Sequence, residues 1–426
     1  MPDDVNLGTN RRRFLKYLAA SPLMASAGLT GGLVDELIAS GPGGAPDLEL
    51  FMNEVGKQEI AIASESEALN VFDFQVVAKQ VLPPAHYGYM ATSIDDDSML
   101  RINREGFDHF GLRMRRLVDI RSIDPSIELF GNHWSTPITI QPTSSNAAFH
   151  PGAEIAVAKA ARNKNHIQML STVASSAIED VTAARGEPIW YQLYADSYWN
   201  RTLAMVKRAE ATGTPVLVWT IDLLGGRNTE TATRLRRIDD RDCSVCHEPT
   251  ATSRYSRSVK PMGQNLPDPV GESMSRRLTW DFIARLKDAT PMKLILKGVV
   301  TREDALLAVS YGADGIIVSN HGARASASGR STIECLPEIV DAVDGRIPIL
   351  IDSGFRRGTD IFKALALGAS AVGVGRPYLW GLASFGQAGV EAVLQMLRSE
   401  LELVMRQAGT PTIKDIRPAH ILHRTL

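Results

Sequence analysis

The stretch Gly315-Ile316-Ile317-Val318-Ser319-Asn320-His321-Gly322-Ala323-Arg324 decides the fold. Its first four residues are continuously apolar, the pattern of a strand buried on both faces. The chain then turns polar at once, so the strand ends in a loop carrying a histidine and an arginine three positions apart. Seven other short apolar runs have the same form: Pro137–Gln141, Ile167–Ser171, Ile189–Tyr194, Val216–Asp222, Lys293–Lys297, Pro348–Asp352 and Ala371–Gly375. Helical patterns lie between them; Thr301-Arg302-Glu303-Asp304, for example, opens an Ala/Leu-rich run as a helix N-terminus does.

Eight alternating strand–helix units predict an α/β fold, a closed parallel TIM (β/α)8 barrel. A doubly wound open sheet is the alternative, but no Gly-x-Gly-x-x-Gly follows the first strand. Strand C-termini meet on one face of a barrel, where chemistry concentrates. The polar residues at these ends are Gln141 to Ser144, Ser171, Gln192, Tyr194, Thr220, Asp222, Lys297, His321, Arg324, Asp352 and Arg376. A purely structural core does not call for such a series. Helical segments from about 47 to 99 form an N-terminal extension, expected to cover the barrel bottom or to lend a residue to its top. Residues 223–277, after the fourth strand, are too long for an ordinary βα loop and read as a flap or partner loop.

The composition is that of a globular protein, with 426 residues, 44% hydrophobic and 22% charged. A net charge of -2 gives no case for nucleic acid as a partner. Three cysteines do not make a disulfide framework, and no apolar run has the length of an ordinary membrane span. Residues 1–45 stand apart. Asn10-Arg11-Arg12-Arg13-Phe14-Leu15-Lys16 precedes a mildly apolar stretch and a small-residue site at Ala25-Ser26-Ala27, resembling a twin-arginine export signal. A Gly/Pro-rich linker from Ser40 to Pro46 separates it from the folded body, 46–426. The expected location is the periplasm, free or membrane-associated.

The motifs together resemble those of the FMN-dependent α-hydroxy acid oxidases and dehydrogenases, over about residues 70 to 420. Ser319 to Arg324 is similar to that family's signature, and Asp352-Ser353-Gly354-Phe355-Arg356-Arg357-Gly358 with Gly375-Arg376-Pro377 to its phosphate-binding half. Gln192-Leu193-Tyr194, Thr220-Ile221-Asp222 and Leu296-Lys297-Gly298 match in the same order. The resemblance implies FMN as cofactor, a small 2-hydroxy acid such as L-lactate or a larger one as substrate, the 2-oxo acid as product, and a homo-oligomer. His321 would be the base, Asp222 would hold it and stabilise its imidazolium, and Tyr194 would bond the oxygen that becomes the carbonyl. Arg324 and Tyr89 would bind the substrate carboxylate. Lys297 would face the flavin N1–C2=O edge, where charge develops. Ser171, Gln192 and Thr220 would bond the ring, with Pro142, Thr143 and Ser144 against it. Asp352, Gly354, Arg356, Gly375 and Arg376 would form the phosphate half. Export favours a cytochrome or quinone as electron acceptor; a peroxide-forming 2-hydroxy acid oxidase, or a different FMN-barrel oxidoreductase or isomerase, is the alternative.

The sequence also departs from the family pattern. Arg227, the counterpart of a second substrate arginine, is shifted relative to Asp222. Val173 stands where glycolate oxidase has a bulky aromatic, hinting at room for a larger acid, and Ser144 replaces a small apolar residue. Ser353 stands in place of a glycine. Cys243-Ser244-Val245-Cys246-His247 in the long loop has the attachment pattern of c-type haem, with Met262 as an axial candidate. A disulfide, an incomplete metal site or plain loop cysteines fit the same residues. Cys335, at a helix start, reads as buried packing.

Overall fold

The computed structural model describes residues 61–241, 260–267 and 277–424. The body, from Ala61 onward, is one compact unit. Eight parallel strands close the barrel: β4 (Ile138–Ile140), β5 (Ile167–Ser171), β6 (Trp190–Leu193), β7 (Val216–Thr220), β8 (Lys293–Val299), β9 (Gly315–Val318), β10 (Ile349–Ile351) and β11 (Ala371–Val374). β11 pairs with β4 through Val372–Ile138 and Val374–Ile140, which closes the ring. The expected TIM barrel is therefore present, each strand lying within its apolar run except β8, which continues through Gly298 to Val299. Almost every strand residue is buried, as strands covered by helices outside and packed inside must be.

Four strands outside the ring were not expected. β1 (Phe110–Leu112) pairs antiparallel with β12 (Ile421–His423), tying the entry of the barrel to its exit. β2 (Ile127–Leu129) and β3 (Asn132–Trp134) form a hairpin. Its turn residues Phe130 and Gly131 have φ of 51° and 77°, the left-handed pair of a tight two-residue hairpin. Leu129 and Trp134 share an apolar cluster with Ile167, Trp190, Val216 and Ala371, the first residues of their strands. The hairpin thus seals the bottom of the barrel. Of the two roles expected of the N-terminal helices, the second holds: they serve the other end and lend Tyr89 to it.

Those helices span Val71–Val81, Pro84–Ala91 and Ser98–Glu105. Asn70 caps the first, its side chain accepting from Phe72 N while Asp73 accepts from Asn70 N. That helix packs against Arg376–Ala408, which runs as two segments broken at Phe385 and Gly386. The described part of the long loop contains the helix Glu230–Arg237 and a short turn at Pro261–Gly263. This helix lies on Pro84–Ala91 so closely that a Cβ on Gly88 would stand 2.8 Å from Leu235 Cδ1. The expected export signal at 1–45 and the Cys243, Cys246 and His247 group fall outside the described residues. Met262 is fully buried in the main apolar cluster, and Cys335 is buried as expected. Among the described residues, no helix is long and apolar enough to cross a membrane.

Candidate active site

A cavity of about 530 Å³ opens at the C-terminal ends of the strands. Tyr194, His321 and Arg324 line it, as do Pro142, Thr143, Ser144 and Ser171. So do Tyr89, from the helix Pro84–Ala91, and Arg227, despite its shifted spacing.

His321 sits in a backbone built to aim it. Residues 321, 322 and 323 have φ of 59°, 66° and 70°, three left-handed positions in a row, two of them not glycine. Such strain persists only where surrounding bonds over-determine it. Here Ser319 Oγ accepts from His321 N at 3.0 Å, Ser353 Oγ accepts from Gly322 N at 2.9 Å, and Asn320 Oδ1 accepts from Ala323 N at 2.8 Å. His321 Nδ1 lies 2.9 Å from Asp222 Oδ1, and Nε2 lies 3.4 Å from the Tyr194 hydroxyl. Asp222 gets this close because β8 carries an irregularity at Gly298, whose φ is 116°. A Cβ on Gly298 would stand 2.6 Å from the Cβ of Asp222.

Burial pushes the His321 pKa down; Asp222 pulls it up, and Lys297 and Arg227 push it down again, leaving it below the ordinary imidazole value. Burial raises the Asp222 carboxyl, but His321 and Lys297 more than offset that, so it lies below the usual carboxylate range. At neutral pH the pair is a neutral imidazole held by a carboxylate: Nδ1–H donates to Asp222 and Nε2 offers its lone pair to the cavity. A pH profile follows. The acid limb of kcat/KM, set by protonation of His321, should fall below pH 6.5. Asp222→Asn should move it lower still, because removing the carboxylate deletes a contribution that favours the imidazolium. A limb well above pH 6.5 in the parent enzyme would contradict this assignment.

Lys297 is buried; it donates to Ser319 Oγ at 2.8 Å and pairs with Asp352 at 3.3 Å. Asp352 also accepts from the Ser319 and Ser353 hydroxyls at 2.6 and 2.8 Å. Asp352 therefore fixes the lysine and the loop after β10. Nearby, Gln192 Nε2, Thr220 Oγ1 and Gln141 Oε1 are buried without a hydrogen-bond partner. Gln192 pairs in register with Ser171, and Thr220 with Lys297, both on the cavity wall. Unpaired buried polar atoms are costly. A heteroaromatic ring with donors and acceptors along its edge would satisfy them.

Farther along, Gly354, Arg356, Gly375 and Arg376 form the other end of the cavity. Burial, with Arg104 beside it, lowers the Arg356 pKa to about 9, and its guanidinium lies 4.7 Å over the Trp380 ring. Arg376 is likewise pushed well down, by burial and then by Arg324 and Arg356. A buried Arg356 that depresses the neighbouring Arg376 calls for an anion beside the pair, and a phosphate answers that. Arg376 donates Nε, Nη1 and Nη2 to the carbonyls of Met90, Gly322 and Thr92, each at 2.8 Å. It thereby joins the N-terminal helices to the His321 loop. Gly354 has φ of 90°, and a Cβ there would stand 2.4 Å from Asn103 O.

Arg324 is fixed from behind, donating Nη1 to the carbonyls of Tyr89 and Thr92 at 2.6 and 3.0 Å. Its Cζ lies 4.8 Å over the Tyr89 ring, and the Tyr89 hydroxyl bonds Ser144 Oγ. Sequence reasoning missed Thr229, Thr233, Arg236 and Lys260, all on the cavity wall. Their only sequence signal was the length of the loop that carries them.

A sealed barrel with a cationic pocket and unpaired ring-binding groups at its strand ends is the architecture of a barrel enzyme that carries a phosphorylated aromatic cofactor. The chain belongs to the FMN-dependent dehydrogenase family, whose model matches residues 78–423, and FMN is its cofactor. It is 39% identical over 358 residues to a peroxisomal (S)-2-hydroxyacid oxidase of Arabidopsis thaliana, covering 83% of this chain and 96% of the relative. It is similar to a structure of lactate oxidase from Pediococcus acidilactici, with a TM-score of 0.75 and 29% identity over 86% of this chain and 97% of that one. The monotopic membrane protein (S)-mandelate dehydrogenase gives a TM-score of 0.75 and 31% identity, over 84% of this chain and 100% of that one.

Proposed function

We propose that the protein oxidises an L-2-hydroxy acid, lactate-like or larger, to the 2-oxo acid and passes the electrons to a cytochrome or quinone outside the cytoplasm. The observation that carries this is the His321 geometry: Nδ1 locked onto Asp222, Nε2 presented to the cavity beside the Tyr194 hydroxyl. Arg324 and Arg227 supply positive charge for the substrate carboxylate. Tyr194 donates to the hydroxyl oxygen and His321 takes the proton, with Asp222 stabilising the imidazolium that results. Lys297, braced by Asp352, places a positive charge at the ring site. FMN, when bound, supplies the two-electron sink. The relatives named for 2-hydroxy acid, lactate and mandelate chemistry support the substrate class. The paired Arg11 and Arg12 motivate the location and the acceptor.

Anaerobic addition of lactate, 2-hydroxybutyrate and mandelate to the purified yellow protein should bleach the flavin absorbance. No bleaching by any 2-hydroxy acid would refute the reading. In air, turnover should reduce an added cytochrome or quinone analogue faster than it makes peroxide; peroxide formed in step with substrate loss would instead assign oxygen as acceptor.

A further inference from the structure

The charges on the cavity wall do not balance for a simple monocarboxylate. Among the described residues, seven lysine and arginine side chains line it against one carboxylate, Asp352. Arg356 and Arg376 face the phosphate end. Lys297 is matched by Asp352 and by the charge that develops at the ring site. Arg324, with Arg227 and Tyr89, meets a substrate carboxylate. Arg236 and Lys260 remain, both contributed by the loop after β7.

Among the described residues, the Arg236 guanidinium has neither an ion-pair nor a hydrogen-bond partner, and unlike the exposed Arg237 beside it, it faces the cavity. On the same helix Arg234 pairs with Glu230 at 2.8 Å, and just beyond it Arg241 pairs with Asp239 at 2.8 Å. The placement of Arg236 follows from helical geometry. Thr229, Thr233 and Arg236 are spaced four and three apart, so they form one stripe along the helix Glu230–Arg237, and all three line the cavity. The neighbouring stripe is fixed by Leu235, lodged against Gly88, and by the buried Ala232. The helix therefore cannot roll to release Arg236 into solvent without losing that contact. Arg227, nine residues earlier, is close enough to lower the pKa of both His321 and Tyr89. Arg236 thus extends the positive lining outward from Arg227, with Thr229 and Thr233 on the same wall.

We propose that this wall is a second anion subsite, and that the substrate is a 2-hydroxy dicarboxylate, with one carboxylate on Arg324, Arg227 and Tyr89 and the distal one on Arg236, beside Lys260. An unpaired guanidinium fork is suited to a carboxylate, and in a partly enclosed cavity the pair is worth more than on an open surface. This inference rests on the proposed 2-hydroxy acid oxidation and narrows its substrate. The reaction keeps its balance: the C–H and O–H bonds of the carbinol break and the C=O bond forms, and FMN, when bound, would take the two electrons with one of the two protons while His321 would take the other. The distal carboxylate takes no part in bond making.

The test compares L-malate and L-2-hydroxyglutarate with lactate and 2-hydroxybutyrate on the full-length holoenzyme, by anaerobic stopped-flow bleaching of the flavin. A second readout is calorimetric titration of the same protein with 2-oxoglutarate and 2-oxobutyrate, which measures binding without turnover. The dicarboxylates should be favoured at least tenfold in kred/Kd, and 2-oxoglutarate should bind at least tenfold more tightly than 2-oxobutyrate. Arg236→Gln should cut both ratios about tenfold, chiefly through Kd, and added salt should erode the binding ratio. Bleaching by monocarboxylates with no dicarboxylate advantage would overturn this inference while leaving the 2-hydroxy acid reading in place. The same ratios in parent and Arg236→Gln would also overturn it. No bleaching by either class would overturn both.

Discussion

His321→Ala is expected to retain bound FMN yet to lose about 10²–10⁴-fold in the rate of flavin reduction by a 2-hydroxy acid, the range associated with removing a positioned general base. The retention follows from the geometry: the phosphate end of the cavity is made by Gly354, Arg356, Gly375 and Arg376, none of which uses the imidazole. The loss follows because the other polar groups nearby are committed as hydrogen-bond donors or as charges. Lys297 is tied to Ser319 and Asp352, and Arg324 to two carbonyls. Rapid-mixing absorbance under nitrogen measures the rate, and the visible spectrum after gel filtration measures retention. Reduction at the parent rate would remove His321 from the chemistry altogether.

The second large effect is expected at Arg376, where one side chain serves both cofactor and fold. Arg376→Met removes a positive charge from the phosphate end and leaves the carbonyls of Met90, Gly322 and Thr92 without their donor. Hydrogen bonds to a charged group contribute about 1.5–3 kcal/mol each, so FMN affinity should fall about 10–100-fold and the unfolding midpoint should drop clearly. Fluorescence titration of apoprotein with FMN gives the first quantity and thermal unfolding the second. Arg376→Lys should restore part of the FMN affinity, since it returns the charge, but little of the stability, since an ammonium cannot reach three carbonyls arranged for a planar fork. FMN binding at parent strength in Arg376→Met would show that Arg356 alone meets the phosphate.

The barrel was legible because its strands are buried on both faces and so are written as unbroken apolar runs. Polar residues at their C-terminal ends then pointed to the functional face before any coordinates. The hairpin at the bottom left no such trace. Its strands are three residues each, with Glu128, Asn132 and His133 among them, and its left-handed turn begins at Phe130 rather than at the asparagine or aspartate that usually marks such a turn. The pairing of β1 with β12 joins Phe110 to His423, a separation no local pattern can signal. Within the site, His321 and Asp222 were readable because each ends a strand. The role of Asp352 as a brace for Lys297 was not, because strand-end position does not say which neighbour a carboxylate will face. Arg236 was hidden for a different reason: it lies in the loop after β7, and only the docking of Leu235 on Gly88 turns its stripe toward the cavity.

The way the barrel closes also fixes an order of events during synthesis. β4, the first strand of the ring, is flanked by β5 and by β11, the last strand of the ring. Tyr89 comes from the start of the body and Arg376 from near its end, and the two ends meet through the carbonyls of Met90 and Thr92. A nascent chain therefore has no complete cofactor cradle until almost all of it has left the ribosome, and FMN can be captured only by a finished body. Were the protein exported as proposed after loading in the cytoplasm, it would cross the membrane already folded, the kind of passage a paired-arginine signal provides, and FMN capture would fall between the end of translation and the start of export.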